Sequence, residues 1–158
     1  MSESDVSEFY GLLVPLAGER LLIPRACVAE IAAWSEPTAI VGAPQWYLGA
    51  VAWRGQTIPL ISFEGTMGQL IPLASSRSRI VVVHSLAKLV KAGSFGILTQ
   101  GFPQLIRLTS DLVKPDPTRS FSERSAAICS LRLLNEAPLV PNIEYLERII
   151  SEETVVTR

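Results

Sequence analysis

The chain is poor in the residues from which active sites are built. Its 158 residues include one histidine and two cysteines. Cys27 and Cys129 lie far apart, each among apolar neighbours, so neither a zinc site nor a disulfide framework finds its spacing. Both read as buried free thiols of a reducing compartment. His84 ends the apolar run IVVV, and an imidazole at a strand end is more often solvated or hydrogen-bonded than catalytic. The aspartates are Asp5, Asp111 and Asp116, all in terminal or loop-like stretches, and no nucleophile elbow joins them to a serine. No glycine-rich loop leads from a strand into a helix, which removes the phosphate cradle of a nucleotide site. The expectation is a protein that is not an enzyme and holds neither cofactor nor metal.

Charge is equally sparse. Fourteen basic and fifteen acidic residues give a net charge of −1, and charged residues make up 18% of the chain. Arg77 and Arg79 are the nearest approach to a basic cluster, too little for a phosphate-binding patch, so no nucleic acid is expected as partner. No apolar run approaches the roughly 18 residues of a membrane helix, so direct membrane insertion is not expected either. The opening MSESDVSEFY is acidic and polar, the reverse of a signal peptide, which places the protein in the cytoplasm. Residues 1–8 read as a disordered N-terminus, 9–152 as a single domain, and 153–158 as a tail.

What is present is strand. EFYGLLVPL and RLLIP flank Ala17-Gly18-Glu19 as one hairpin, and LGAVAW and TIPLISF flank Arg54-Gly55-Gln56 as another. SAAICSLRLL and PLV flank a third turn at Asn135-Glu136-Ala137, while RIVVV, FGIL and QLIRL add further strands. RACVAEIAAW fits a short helix or a strand. Pro59 cannot donate to a ladder and should sit at an edge or a bulge. Only NIEYLERIISEE reads as helix, with Ile143, Leu146, Ile149 and Ile150 on one face and Asn142 as its cap. Many short strands between turns predict an all-β barrel or sandwich. RGQTIPLIS and LNEAPLVPN echo one another: a turn, Pro-Leu, a branched residue, then Ser62 or Asn142 as a potential helix cap. The echo suggests two similar half-domains.

Arg54 poses the functional question. Strand alternation sends Val51 and Trp53 to a core face and Ala50, Ala52 and Arg54 to a shallow opposite one. There the guanidinium either receives a carboxylate or carbonyls of an incoming segment, or closes its own turn. Gly55 fits a turn that needs φ > 0.

GAVAWRGQTIPLISFEGTMG resembles the signature of the CheW-like family, roughly G-V-x-N-x-R-G-x-x-x-P-V-x-D-L-x-x-x-[LF]-G. Gly49, Arg54, Gly55, Pro59, Leu60, Ile61 and Gly68 fall in register. LLIPRACVAEI, RIVVV with FGIL, VKPDP and LVPNIEYL are similar to the family's flanking segments, so the likeness covers nearly the whole chain. The resemblance implies two interleaved five-stranded SH3-like barrels, a hydrophobic groove between them and a C-terminal helix. It implies a non-enzymatic adaptor that couples chemoreceptor cytoplasmic tips to the regulatory domain of a CheA-type histidine kinase. The alternative is the same fold used as a sensory or output module, binding a small ligand or a non-kinase partner in the groove. Val28, Glu30 and Arg54 match partner-facing positions; Gly49, Gly55 and Pro59 match turn and structural positions of the signature, while Trp53 is a core residue by strand alternation. Ala52, Ser62 and Thr99-Gln100 depart from the pattern. These departures suggest a divergent member serving a dedicated system, such as one controlling type IV pili and twitching motility, recruited to membrane-associated receptor arrays.

Overall fold

GLLVPL, RLLIP and RIVVV are apolar at nearly every position rather than at alternate ones, the pattern of strands covered on both faces. The computed structural model describes residues 10–109, 114–133 and 135–156. In it, β1 (Tyr10–Pro15) and β2 (Arg20–Pro24) form the first hairpin. A short 3₁₀ turn (Arg25–Cys27) leads into β3 (Val28–Ala33), so RACVAEIAAW is a single turn followed by a strand. Then come β4 (Tyr47–Trp53), β5 (Gln56–Ile61), the one-turn helix α1 (Phe63–Thr66), β6 (Arg79–His84) and β7 (Ser94–Thr99). The chain closes with β8 (Gln104–Arg107), β9 (Lys114–Pro115), β10 (Ala127–Arg132), β11 (Leu139–Pro141) and α2 (Ile143–Val156). The helix thus runs past Glu153. The expected N-terminal disorder of residues 1–8 and the loop around Asp111 lie outside the described residues.

The strands form two sheets, in the orders β8-β1-β2-β11-β10-β9 and β3-β6-β7-β5-β4. The second is built entirely from chain inserted between β2 and β8, so the lobes are interleaved as expected. Placed side by side, the two orders correspond strand for strand. Each lobe has a hairpin (β1–β2, β6–β7) and a strand added parallel to its second member (β11 on β2, β5 on β7). That parallel strand runs into a capped helix in both lobes. Ser62 Oγ accepts from Gly65 N at 3.2 Å, and Asn142 Oδ1 from Tyr145 N at 3.1 Å. The echo in the sequence is therefore an echo in architecture. The sixth strand of the first sheet, the two-residue β9, has its counterpart in an isolated bridge between Thr38 and Ala50 on β4.

Among the described residues, three apolar clusters explain the double burial. Val51, Ile58, Leu60, Ile80 and Val82 fill the second lobe, and Leu13, Leu22 and Leu133 the first. Between the lobes a larger cluster draws Leu12, Val14, Leu21 and Ile23 from one sheet and Ile61, Val81, Val83, Phe95 and Ile97 from the other. Leu146 and Ile150 of α2 are buried in the same cluster, with Ile143 and Ile149 packed against it. A strand such as β6 therefore sends Ile80 and Val82 into its own lobe and Val81 and Val83 into the shared core. Among the described residues no helix is long and apolar enough to cross a membrane.

Candidate functional site

Glu30 lies on β3 and Arg54 at the end of β4, at opposite edges of the second sheet. They nonetheless meet. Arg54 donates from Nε at 3.1 Å and from Nη2 at 2.8 Å to Oε1 of Glu30. The resemblance implies a partner-facing place for each of them separately, and the curl of the sheet brings them together. Val28, two residues before Glu30, is half-buried and packs on the shared core. A β-bulge separates it from Glu30 and adds local twist there.

The placement of Arg54 differs from the alternation argument. It does not continue β4: with Trp53 paired to Gln56, Arg54 and Gly55 form a two-residue turn, and their φ values are 47° and 75°. Positive φ at both central residues is what a type I′ hairpin requires, and the turn ends the strand period that had set the side chain's face. Gly55 answers this requirement directly, because a Cβ there would meet nothing within 4 Å and only the backbone angle selects glycine. Arginine is a costly choice in this left-handed region, by about 1–2 kcal/mol. Its guanidinium carbon lies 4.8 Å from the Trp53 ring centroid, a cation–π contact. Trp53 is half-buried, packed against the core of the second lobe, and its indole Nε1 is buried with no hydrogen-bond partner among the described residues. Above it the ion pair stays open to solvent, with side-chain exposures of 62% for Arg54 and 40% for Glu30.

Farther back along β4, Gly49 lets the Thr38 segment of the β3–β4 connection approach the strand. Thr38 exchanges both backbone hydrogen bonds with Ala50, at 2.8 and 2.9 Å. A Cβ on Gly49 (φ 141°) would stand 2.3 Å from Thr38 O. Pro59 sits opposite Ala50 on β5, and because Ala50 spends its N–H and C=O on Thr38, the Pro59 nitrogen faces the other side. On that side the ladder to β7 begins only at Leu60, so the missing N–H falls on an unpaired stretch of the strand. Here a cleft of about 370 Å³ opens, lined by Tyr47, Ala50, Gln56, Thr57, Ile58, Pro59 and, from the β6–β7 connection, Val90, Lys91 and Ala92.

The remaining candidates are scattered. His84 is exposed at the end of β6, in register with Ser94. Cys27 and Cys129 are half-buried free thiols, and burial pushes the pKa of each up. Asp116, read as a loop residue, is 8% exposed and accepts from the Thr118 hydroxyl at 2.6 Å and the Thr118 N–H at 3.0 Å. These bonds, the hydroxyl first, hold its carboxyl below the usual aspartate range, helped by Ser130 and Arg132 against the effect of burial. Among the described residues no cluster of His, Cys, Asp and Glu could hold a metal ion. Two buried carboxylates, Glu64 and Glu147, were missed. Glu147 carried a signal: it stands four residues after Ile143 and three before Ile150, inside the apolar stripe of α2.

The family model of the CheW-like domain matches residues 10–143. The chain is 27% identical over 90 residues to a probable chemotaxis protein CheW of Rhizobium etli, a match that covers 57% of this chain and 55% of that protein. It is 28% identical over 101 residues to the chemotaxis protein CheW of Rhizobium meliloti, covering 63% and 62% of the two. It therefore spans less than two thirds of either rhizobial relative. Against the chemotaxis protein CheW of Klebsiella aerogenes, identity is 23% over 142 residues, 90% of this chain and 81% of the other. Among solved structures, the scaffolding protein TtCheW of Thermoanaerobacter tengcongensis superposes with a TM-score of 0.73 at 19% identity, covering 88% of this chain and 92% of that one.

Proposed function

The chain belongs to the CheW-like domain family, and from that premise we propose that it is a non-enzymatic adaptor of chemosensory signalling. It couples the cytoplasmic tips of chemoreceptors to the regulatory domain of a CheA-type histidine kinase, within a two-component system. The relatives are chemotaxis proteins by name and the structural neighbour is a scaffolding protein, which supports the reading. It works in the cytoplasm, recruited to membrane-associated receptor arrays through its partners. The departures at Ala52, Ser62 and Thr99-Gln100 favour a dedicated system, such as one driving pilus-based motility, over general chemotaxis.

The partner surface comprises Val28, Glu30 and Arg54. The observation that carries this reading is the exposed Glu30–Arg54 pair at a left-handed turn position. A turn needed only to close a hairpin is made more cheaply by Asn-Gly or Gly-Gly. An arginine held there against its backbone preference, and stacked on Trp53, is presented to something outside. Titration against the purified kinase regulatory domain of the same organism tests the reading. Saturable binding that falls by about tenfold or more in Arg54→Glu supports it, that being the order of loss for a charge-assisted contact. A folded wild type that binds neither kinase domain nor receptor tip refutes it. The mostly apolar lining of the cleft beside Pro59 favours one second reading, a module that binds a small ligand. A thermal-shift screen separates the two, since only a ligand-binding module gains stability with ligand concentration.

A further inference from the structure

Glu64 on α1 and Glu147 on α2 are buried to 2% and 0% exposure, and neither belongs to the surface around Arg54. Each helix follows the parallel strand of its own lobe, yet each carboxylate is used by the other lobe. Glu64, from the second lobe, accepts from Ala17 N at 3.0 Å, in the turn between β1 and β2, and from Ser62 Oγ at 3.3 Å. Glu147, from the helix of the first lobe, reaches the connection between β6 and β7. There it accepts from Ala87 N at 3.1 Å, from Leu89 N at 3.2 Å and, in a short contact, from the Ser85 hydroxyl. Ser85 Oγ in turn accepts from Val90 N at 3.1 Å. Between the two amides held by Glu147 lies Lys88, whose φ of 58° is left-handed and unfavourable for a lysine.

These two connections are also the walls of surface hollows. Val90, Lys91 and Ala92 line the cleft beside Pro59. The β1–β2 turn lines a second hollow of about 550 Å³, from Pro15 to Arg20 on one side and Glu136 to Pro138 on the other. The hollows occupy equivalent places in the two lobes, each beside the hairpin connection and the parallel strand or its lead-in. A buried carboxylate without donors is severely disfavoured, so each glutamate and the N–H groups it receives hold one another in place.

We propose that Glu64 and Glu147 are crossed clasps: each is a positioning residue that fixes the hairpin connection of the opposite lobe, so the wall of each hollow is set by the other lobe's helix. Replacing Glu147 by glutamine keeps its volume but turns an NH₂ group toward an amide N–H that the carboxylate had satisfied, since each of its oxygens receives one. At Glu64 the Ser62 hydroxyl can accept from such an NH₂, so leucine, which leaves Ala17 N without its acceptor, is the informative replacement there.

Amide hydrogen exchange of the full chain, followed by NMR, tests this in Glu147→Gln and Glu64→Leu. In Glu147→Gln the amides of Ala87, Leu89 and Val90 should exchange faster by about tenfold or more, as expected for loss of hydrogen bonds to a charge, while Ala17 stays near wild type. In Glu64→Leu the Ala17 amide should exchange faster, while Ala87, Leu89 and Val90 stay near wild type. Uniform loss of protection through both lobes, or unchanged exchange at the named amides, overturns the proposal. If Glu147→Gln does not fold, Ser85→Ala removes one donor to the carboxylate and the acceptor of Val90 N, leaving Glu147 with two amides. The same amides then decide: faster exchange confined to the connection supports the clasp, and none contradicts it.

Discussion

Arg54 shows how much a single position can balance. Its left-handed backbone is unfavourable, its guanidinium gains two bonds to Glu30 and a ring contact, and the pair remains solvated. An exposed pair of this kind contributes about 0–1 kcal/mol, so its removal should hardly move the melting temperature. Asp116 is the opposite case, a buried carboxylate held by Thr118, Ser130 and Arg132. Because its folded pKa is lowered, it stabilises the protein fully above the ordinary aspartate value of about 3.9. That contribution is lost as pH falls through the lower folded value. Asp116→Asn should therefore unfold at lower urea than wild type at pH 7, and the gap between the midpoints should close below about pH 4. A gap that is constant with pH would show that the charge does not matter.

Elements explain what the sequence reveals and what it hides. Strands were legible because both faces are buried and the apolar runs are nearly unbroken, and the caps Ser62 and Asn142 were legible because capping is local chemistry. The parallel additions of β5 to β7 and β11 to β2 were not, since partners far apart in sequence leave no local mark. Alternation misplaced Arg54 because it assumed a strand where the turn had begun. It also left unseen the meeting of Glu30 with Arg54, which depends on the curl of the whole sheet. Gly49 admits the Thr38 segment against β4: Gly49→Ala should cost about 3 kcal/mol or more, through a Cβ 2.3 Å from Thr38 O and a strained φ. A melting temperature within a degree of wild type would show that the Thr38 segment yields easily. Asn142→Ala should lose about 1 kcal/mol of capping energy, a fall of roughly 2–4 °C in a chain of this size.

At the scale of the molecule, the shared core decides how the lobes behave. It takes buried side chains from both sheets and from α2, and it is the largest of the three clusters. Interleaving adds a covalent reason, because the second lobe is inserted within the first. Urea unfolding should therefore be one transition by tryptophan fluorescence and by circular dichroism, with coincident midpoints. Two separated transitions would mean that the lobes are independent.

The adaptor account rests on Glu30 and Arg54 acting outward as well as on each other, and a charge swap separates the two roles. The decisive measurement is titration of the kinase regulatory domain with Glu30→Arg/Arg54→Glu, beside wild type and Arg54→Glu. The swap restores an ion pair across the sheet while reversing the charges offered to a partner. The account predicts a melting temperature close to wild type and binding as weak as that of the single variant. Recovery of wild-type affinity in the swapped protein would contradict it, leaving the pair as no more than a brace across the sheet.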